Sequence, residues 1–169
     1  MAKVNVLAVD VGIRTCGYVI CELDASDISV VTQGEVKPKP KLSMPEKLGC
    51  IFDKLCCEIE NNKVNCIVVE RLYSHYKHPT TLGVLAQVRG VVALIANKYD
   101  MMFYEFSPTR ARKSFLGKGN ANSMQVKKMA EQFSGHEFAS EHIADAFSLA
   151  VALSHELKVN KLKLEAHII

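Results

Sequence analysis

Three acidic residues far apart in the chain stand where apolar runs end or a helix begins. Asp10 follows Val4–Val9 and precedes Gly12, Glu70 follows Cys66–Val69, and Asp145 lies in Ser140–Phe147. Short apolar runs of this kind form buried strands, and a carboxylate at a strand end facing a glycine turn is placed to hold a metal ion. On a helix, His142 and Asp145 are three apart and share a face, as do Glu141 and Asp145, four apart. Spacing alone leaves both pairs open. Taken singly, each acid also reads as a turn or cap residue, the acidic helix start being favoured by the helix dipole; their joint placement points to a site.

Three carboxylates brought together repel one another unless a counter-charge intervenes. Hard oxygen donors with three negative charges suit Mg²⁺ or Mn²⁺. Two such ions about 4 Å apart clamp a phosphodiester, one activating water and the other steadying the leaving 3′ oxygen.

The elements that would position these residues follow from periodicity. Val4–Asp10, Tyr18–Cys21 and Ile28–Val36 read as three strands joined by short connections, an antiparallel meander. Lys37-Pro38-Lys39-Pro40-Lys41 cannot continue a ladder and reads as an extended basic loop open to phosphate or to solvent. Leu48, Ile51, Phe52, Leu55 and Ile59 recur at helical spacing and predict a helix from about Pro45 to Asn61. The Glu70 strand follows, then a helix from about Thr80 to Lys98 whose broad apolar surface is enough for both the sheet and a partner chain. Met101–Phe106 is a fifth strand, ended by Ser107-Pro108. The order β-β-β-α-β-α-β-α requires parallel pairing of the later strands, so the sheet is mixed. In it the first and fourth strands are neighbours, Asp10 and Glu70 meet at their C-terminal ends, and the last helix brings Asp145 over them.

The chain has 169 residues and a mass of 18.7 kDa, with 49% hydrophobic and 23% charged residues, an ordinary globular composition for one domain. Its boundaries are read as 1–158 for the domain and 159–169 for a basic tail. A two-lobed actin-like ATPase, whose first phosphate loop has a similar strand-Asp-Gly pattern, needs a longer chain. The net charge is only +3, but from Lys98 to Lys128 seven basic residues face two acids, a local field of the kind that polyanions meet. Cys16, Cys21, Cys50, Cys56, Cys57 and Cys66 lack C-x-x-C spacing and read as reduced thiols in a cytoplasmic setting. Lys3, Asn5 and Asp10 break the N-terminal apolar stretch short of a secretory or membrane segment.

Leu7-Ala8-Val9-Asp10-Val11-Gly12 with Gly17-Tyr18, Ile67-Val68-Val69-Glu70 and His142-Ile143-Ala144-Asp145-Ala146 together resemble the three acidic motifs of the RuvC-type Holliday-junction resolvases, within the ribonuclease H-like superfamily. Leu85-Ala86-Gln87-Val88-Arg89-Gly90 resembles a helix signature of that family, and Gly117-Lys118-Gly119-Asn120-Ala121 with Met124-Gln125-Val126 resembles the loop before its next helix. The resemblance runs from Val6 to about His155. It implies a ribonuclease H-like α/β fold and a metal-dependent endonuclease that resolves four-way junctions by paired nicks, leaving 5′-phosphate and 3′-hydroxyl ends.

For this chain it implies Asp10, Glu70, His142 and Asp145 as catalytic residues and metal ligands, with Mg²⁺ or Mn²⁺, two ions per site. It favours His142 over Glu141, and histidine in place of the aspartate of many members suits Mn²⁺ or proton transfer. Tyr73 falls where the family carries an aromatic that stacks on an opened base, worth roughly 1–3 kcal/mol. Arg89, Arg112, Lys113 and Lys118 are the implied DNA contacts. Ser123 departs from the pattern, standing where a lysine is common. A two-fold junction needs two matched nicks, hence a homodimer. The alternatives are a ribonuclease H-like nuclease acting on flaps, forks or structured RNA, and a non-catalytic junction-binding protein.

Overall fold

The computed structural model describes residues 3–24, 27–72 and 79–166, with side chains through 158. Strands β1 (Val4–Asp10), β2 (Cys16–Leu23) and β3 (Ile28–Val36) lead into helix α1 (Met44–Asn62) and β4 (Cys66–Glu70). Helix α2 (Pro79–Lys98), β5 (Met102–Phe106) and helices α3 (Pro108–Leu116), α4 (Ser123–Ser134) and α5 (Glu141–Ala166) complete the order. The five strands form one sheet, β3-β2-β1-β4-β5. β1, β2 and β3 pair antiparallel, whereas β4 pairs parallel with both β1 and β5, the mixed sheet that the connections require.

Alternation along the strands sends side chains to two covered faces. Val6, Ala8, Val19, Cys21 and Val68 pack with Ile143, Phe147, Ala150 and Leu153 of α5 and with residues of α3 and α4. Leu7, Val9, Tyr18, Ile20, Ile67 and Val69 pack instead against Ile51, Leu55 and Ile59 of α1 and Val88, Val92 and Ile95 of α2. β1 and β4 are therefore continuous apolar runs, because neither face meets water. From Ile143 to Leu153 only Asp145 escapes full burial, so α5 is apolar nearly all round, the signature of a core helix.

Helix ends follow local chemistry. Glu46 accepts from the Ser43 backbone N–H at 2.7 Å, and Pro45 occupies the first turn of α1, where its missing N–H costs nothing. Lys63 closes α1 in the left-handed region at φ 49°. Ser107 and Pro108 end β5 as expected but also begin a helix absent from the sequence reading. Ser107 Oγ accepts from the Arg110 N–H at 3.0 Å, and Pro108 sits at the first helical position. Three helices thus follow β5 rather than one, α4 being capped by a reciprocal Asn122–Gln125 pair. The helix also continues through Ala166, past the position 158 where the basic tail was placed.

By length and a mean hydropathy of 1.5, α2 would pass for a membrane span. Here its stripe of Val88, Val92, Ile95 and Ala96 is buried against the sheet while Leu94 stays 59% exposed. All six cysteines are free, four of them buried.

Candidate active site

Strand register assembles the site. Asp10 on β1 lies opposite Gly17 on β2, which lies opposite Glu35 on β3. Val9 pairs with Val69, so one step further Asp10 stands beside Glu70. Cross-strand neighbours share a face, and this row opens on the α5 side. Gly17 is the empty middle of the row: a Cβ there would lie 2.6 Å from the His142 carbonyl carbon and 2.7 Å from its oxygen. The first turn of α5 rests on that bare glycine, with His142 between Asp10 and Glu35.

His142 Nδ1–H donates to Asp10 Oδ2 at 2.8 Å. With a carboxylate as acceptor, Nδ1 must carry the proton, which leaves Nε2 outward. Burial raises the Asp10 carboxyl, the His142 hydrogen bond counters it, and the Asp145 charge raises it further. Among the described residues Glu70 has no such hydrogen-bonded counterweight. Burial first, then the charges of Asp10 and Asp145, push it from an ordinary 4.5 to about 7, with Arg112 only partly opposing. His142 is raised above its ordinary value, chiefly by the hydrogen bond to Asp10 against the opposing effect of burial. Asp145 raises Asp10, and both raise Glu70, so acids from three distant segments share one field, the electrostatic situation a divalent cation relieves.

Asp145 is held from the other side. Ser123 Oγ donates to Asp145 Oδ2 at 2.9 Å, and Arg112 donates to Asp145 Oδ1 at 3.3 Å while its other arm reaches the Ala121 carbonyl at 2.9 Å. Ser123 and Arg112 thus sit at the acid cluster itself, on α4 and α3. Among the described residues no group of three or more His, Cys, Asp and Glu is placed to hold a metal ion in this arrangement; Asp10 and Asp145 engage His142, Arg112 and Ser123 instead. Beside the cluster opens a cleft of about 730 Å³, lined by the β1–β2 turn Val11–Thr15, by His142 and by Thr80, Thr81, Val84 and Leu85 of α2. Gly12 makes that turn feasible, since a Cβ would fall 2.2 Å from the Thr15 carbonyl oxygen.

The remaining sequence candidates are scattered. Glu141 is exposed and does not share the hydrogen bonds of His142. Lys113 and Lys118 are exposed on α3 and the loop after it. Arg89 is directed to the sheet edge, where Nε donates to Glu105 at 2.6 Å and the guanidinium lies 5.8 Å from the centre of the Phe103 ring. Tyr73 lies outside the described residues. Glu35 escaped the sequence reading because only strand register brings it near Asp10. Burial opposes its ionisation, but hydrogen bonds from Lys37 and Ser140 outweigh it and hold its carboxyl below the usual range.

The profile of the family described as crossover junction endodeoxyribonuclease RuvC matches residues 6–155. The chain belongs to the RuvC family. Curated RuvC relatives from Chlamydia trachomatis serovar L2 are 29% identical over 163 residues, covering 94% of this chain and 95% of theirs. RuvC of Brachyspira hyodysenteriae is 30% identical over 149 residues, covering 88% and 91%. Among solved structures, Thermus thermophilus RuvC in complex with a Holliday junction superposes with a TM-score of 0.84 at 19% identity, over 93% of this chain and 96% of that one. The fowlpox virus Holliday junction resolvase gives 0.61 at 13% identity, over 90% and 99%. These two establish a RuvC-like fold, and the family match rests on sequence.

Proposed function

We propose that this protein is a divalent-metal-dependent endonuclease selective for branched DNA, resolving four-way junctions by paired nicks that leave 5′-phosphate and 3′-hydroxyl ends. The observation that carries the reading is the convergence of Asp10, Glu70, His142 and Asp145 beside an open cleft in a chain of the RuvC family. The donor set fits Mg²⁺ or Mn²⁺ in its chemistry: two part-buried strand-end acids and one helix acid, mutually repelling, with an imidazole alongside. Asp10, Glu70, His142 and Asp145 would hold two ions, which supply the activated water and the stabilised leaving oxygen.

The chain's own residues do the rest. His142 orients the Asp10 carboxylate through Nδ1–H and keeps Nε2 for a ligand or a proton. Ser123 fixes one oxygen of Asp145, while Arg112 offsets the charge of all three acids and is a candidate contact for an incoming phosphate. Lys113, Lys118 and Arg89 are further candidate DNA contacts, and Tyr73 the candidate base-stacking residue. We assign 1–158 to the nuclease domain. Two chains acting as a homodimer through the exposed side of α2 would supply two nicks, and the free thiols suit a reducing cytoplasm.

The deciding experiment is cleavage of a labelled four-way junction beside matched linear duplex, flap and RNA hairpin, in Mg²⁺ and in Mn²⁺. Symmetric paired nicks in the junction, lost in Asp10→Asn with junction binding kept, are expected. Preferential cleavage of flaps or RNA would overturn the substrate, and binding without cleavage in either metal would overturn the enzyme.

A further inference from the structure

A second groove, of about 450 Å³, lies between the β1–β2 turn and the loop from β3 to α1, lined by Ile13, Arg14, Pro38, Pro40 and Lys47. Ile13 and Arg14 also line the cleft beside the acid cluster, so the two recesses meet along one edge of the β1–β2 turn. Lys39 and Lys41 are exposed on the same loop. Over this stretch five cations (Arg14, Lys37, Lys39, Lys41 and Lys47) face two acids, Glu35 and Glu46. Both acids are occupied: Glu35 pairs with Lys37, and Glu46 caps α1 through Ser43. Among the described residues Arg14, Lys39, Lys41 and Lys47 form no ion pair.

The loop is also stiff. Pro38 and Pro40 restrict its backbone, and the Leu42 N–H donates to the Lys39 carbonyl at 3.1 Å. A restrained backbone lowers the cost of ordering the loop on a polyanion, and the mutual repulsion of its cations is relieved by binding.

We infer that the Lys39–Lys47 segment, together with Arg14, is a track for the sugar-phosphate backbone of a DNA arm leaving the catalytic cleft. Continuity with the cleft through Arg14 selects this occupant over an acidic protein. The inference rests on the nuclease reading above and extends its footprint to a loop well separated in sequence from both the Asp10 and the Glu70 motifs.

The test is junction binding in EDTA, by fluorescence anisotropy across a salt series, for the full chain and for a K39Q/K41Q/K47Q variant whose melting temperature checks its fold. Each phosphate contact contributes about 0.9 to the slope of log K against log salt, so the variant should bind more weakly with a slope shallower by roughly 2 to 3. The deficit should vanish on junctions whose arms are trimmed until they no longer reach the loop. A wild-type slope in the variant, or a deficit independent of arm length, would overturn the track while leaving the resolvase reading intact. A wild-type protein that binds the junction no better than linear duplex would remove both.

Discussion

Glu70 is raised by burial first and then by the charges of Asp10 and Asp145. Its carboxyl is raised from 4.5 to about 7 in the folded chain, so between those values the folded state binds a proton that the unfolded state has released. Its contribution to stability is complete below about pH 4.5 and is lost as pH rises through 7. In EDTA, melting curves of wild type relative to Glu70→Gln should therefore show wild type losing ground from pH 5 to pH 8. Adding Mn²⁺ or Mg²⁺ should stabilise wild type more at pH 8 than at pH 5, and the Gln variant less. A wild-type advantage that grew with pH would refute this account. Arg112 and Ser123 grip the same Asp145 carboxylate from two helices. Ser123→Ala should weaken metal affinity about tenfold or more, in the range typical of outer partners of metal ligands, measurable by metal titration.

At the scale of elements, the first turn of α5 depends on β2 having no side chain at Gly17. Gly17→Ala would drive a methyl group into the His142 backbone. An overpacked site of this kind costs about 1–3 kcal/mol, and the shift should separate Nδ1 from Asp10, so cleavage should fall far more than the melting temperature implies. Ser107→Ala, which removes the cap of α3, should cost about 1 kcal/mol by chemical denaturation. The contrast explains what was legible beforehand. The strands, α1, α2 and the β1–β4 adjacency follow from apolar runs and crossover rules, and so does the meeting of Asp10 with Glu70. Ser107-Pro108 marks a stop and a start at once, and reading only the stop hides α3. Glu35, the seat of His142 on Gly17 and the grip of Arg112 on Asp145 arise from register and packing between distant segments, which periodicity does not encode.

At the scale of the whole molecule, the exposed side of α2 is the surface on which the proposed homodimer can be tried. Leu94→Glu, at a position 59% exposed, should leave the monomer folded yet shift sedimentation toward a single chain and replace paired nicks by single ones. An unchanged sedimentation profile would direct the search for the partner surface elsewhere. The nearly complete burial of α5 has a consequence for how the protein loses its site. Helix segments open to solvent exchange in proportion to how little tertiary structure must be broken to release them. The amides of Ile143–Leu153 are inside the core and carry His142 and Asp145 at its edge, so they should exchange with deuterium only when the whole domain opens. The acid cluster would then have no partly melted form: heated or denatured, the protein should keep His142 and Asp145 in place until the last cooperative step.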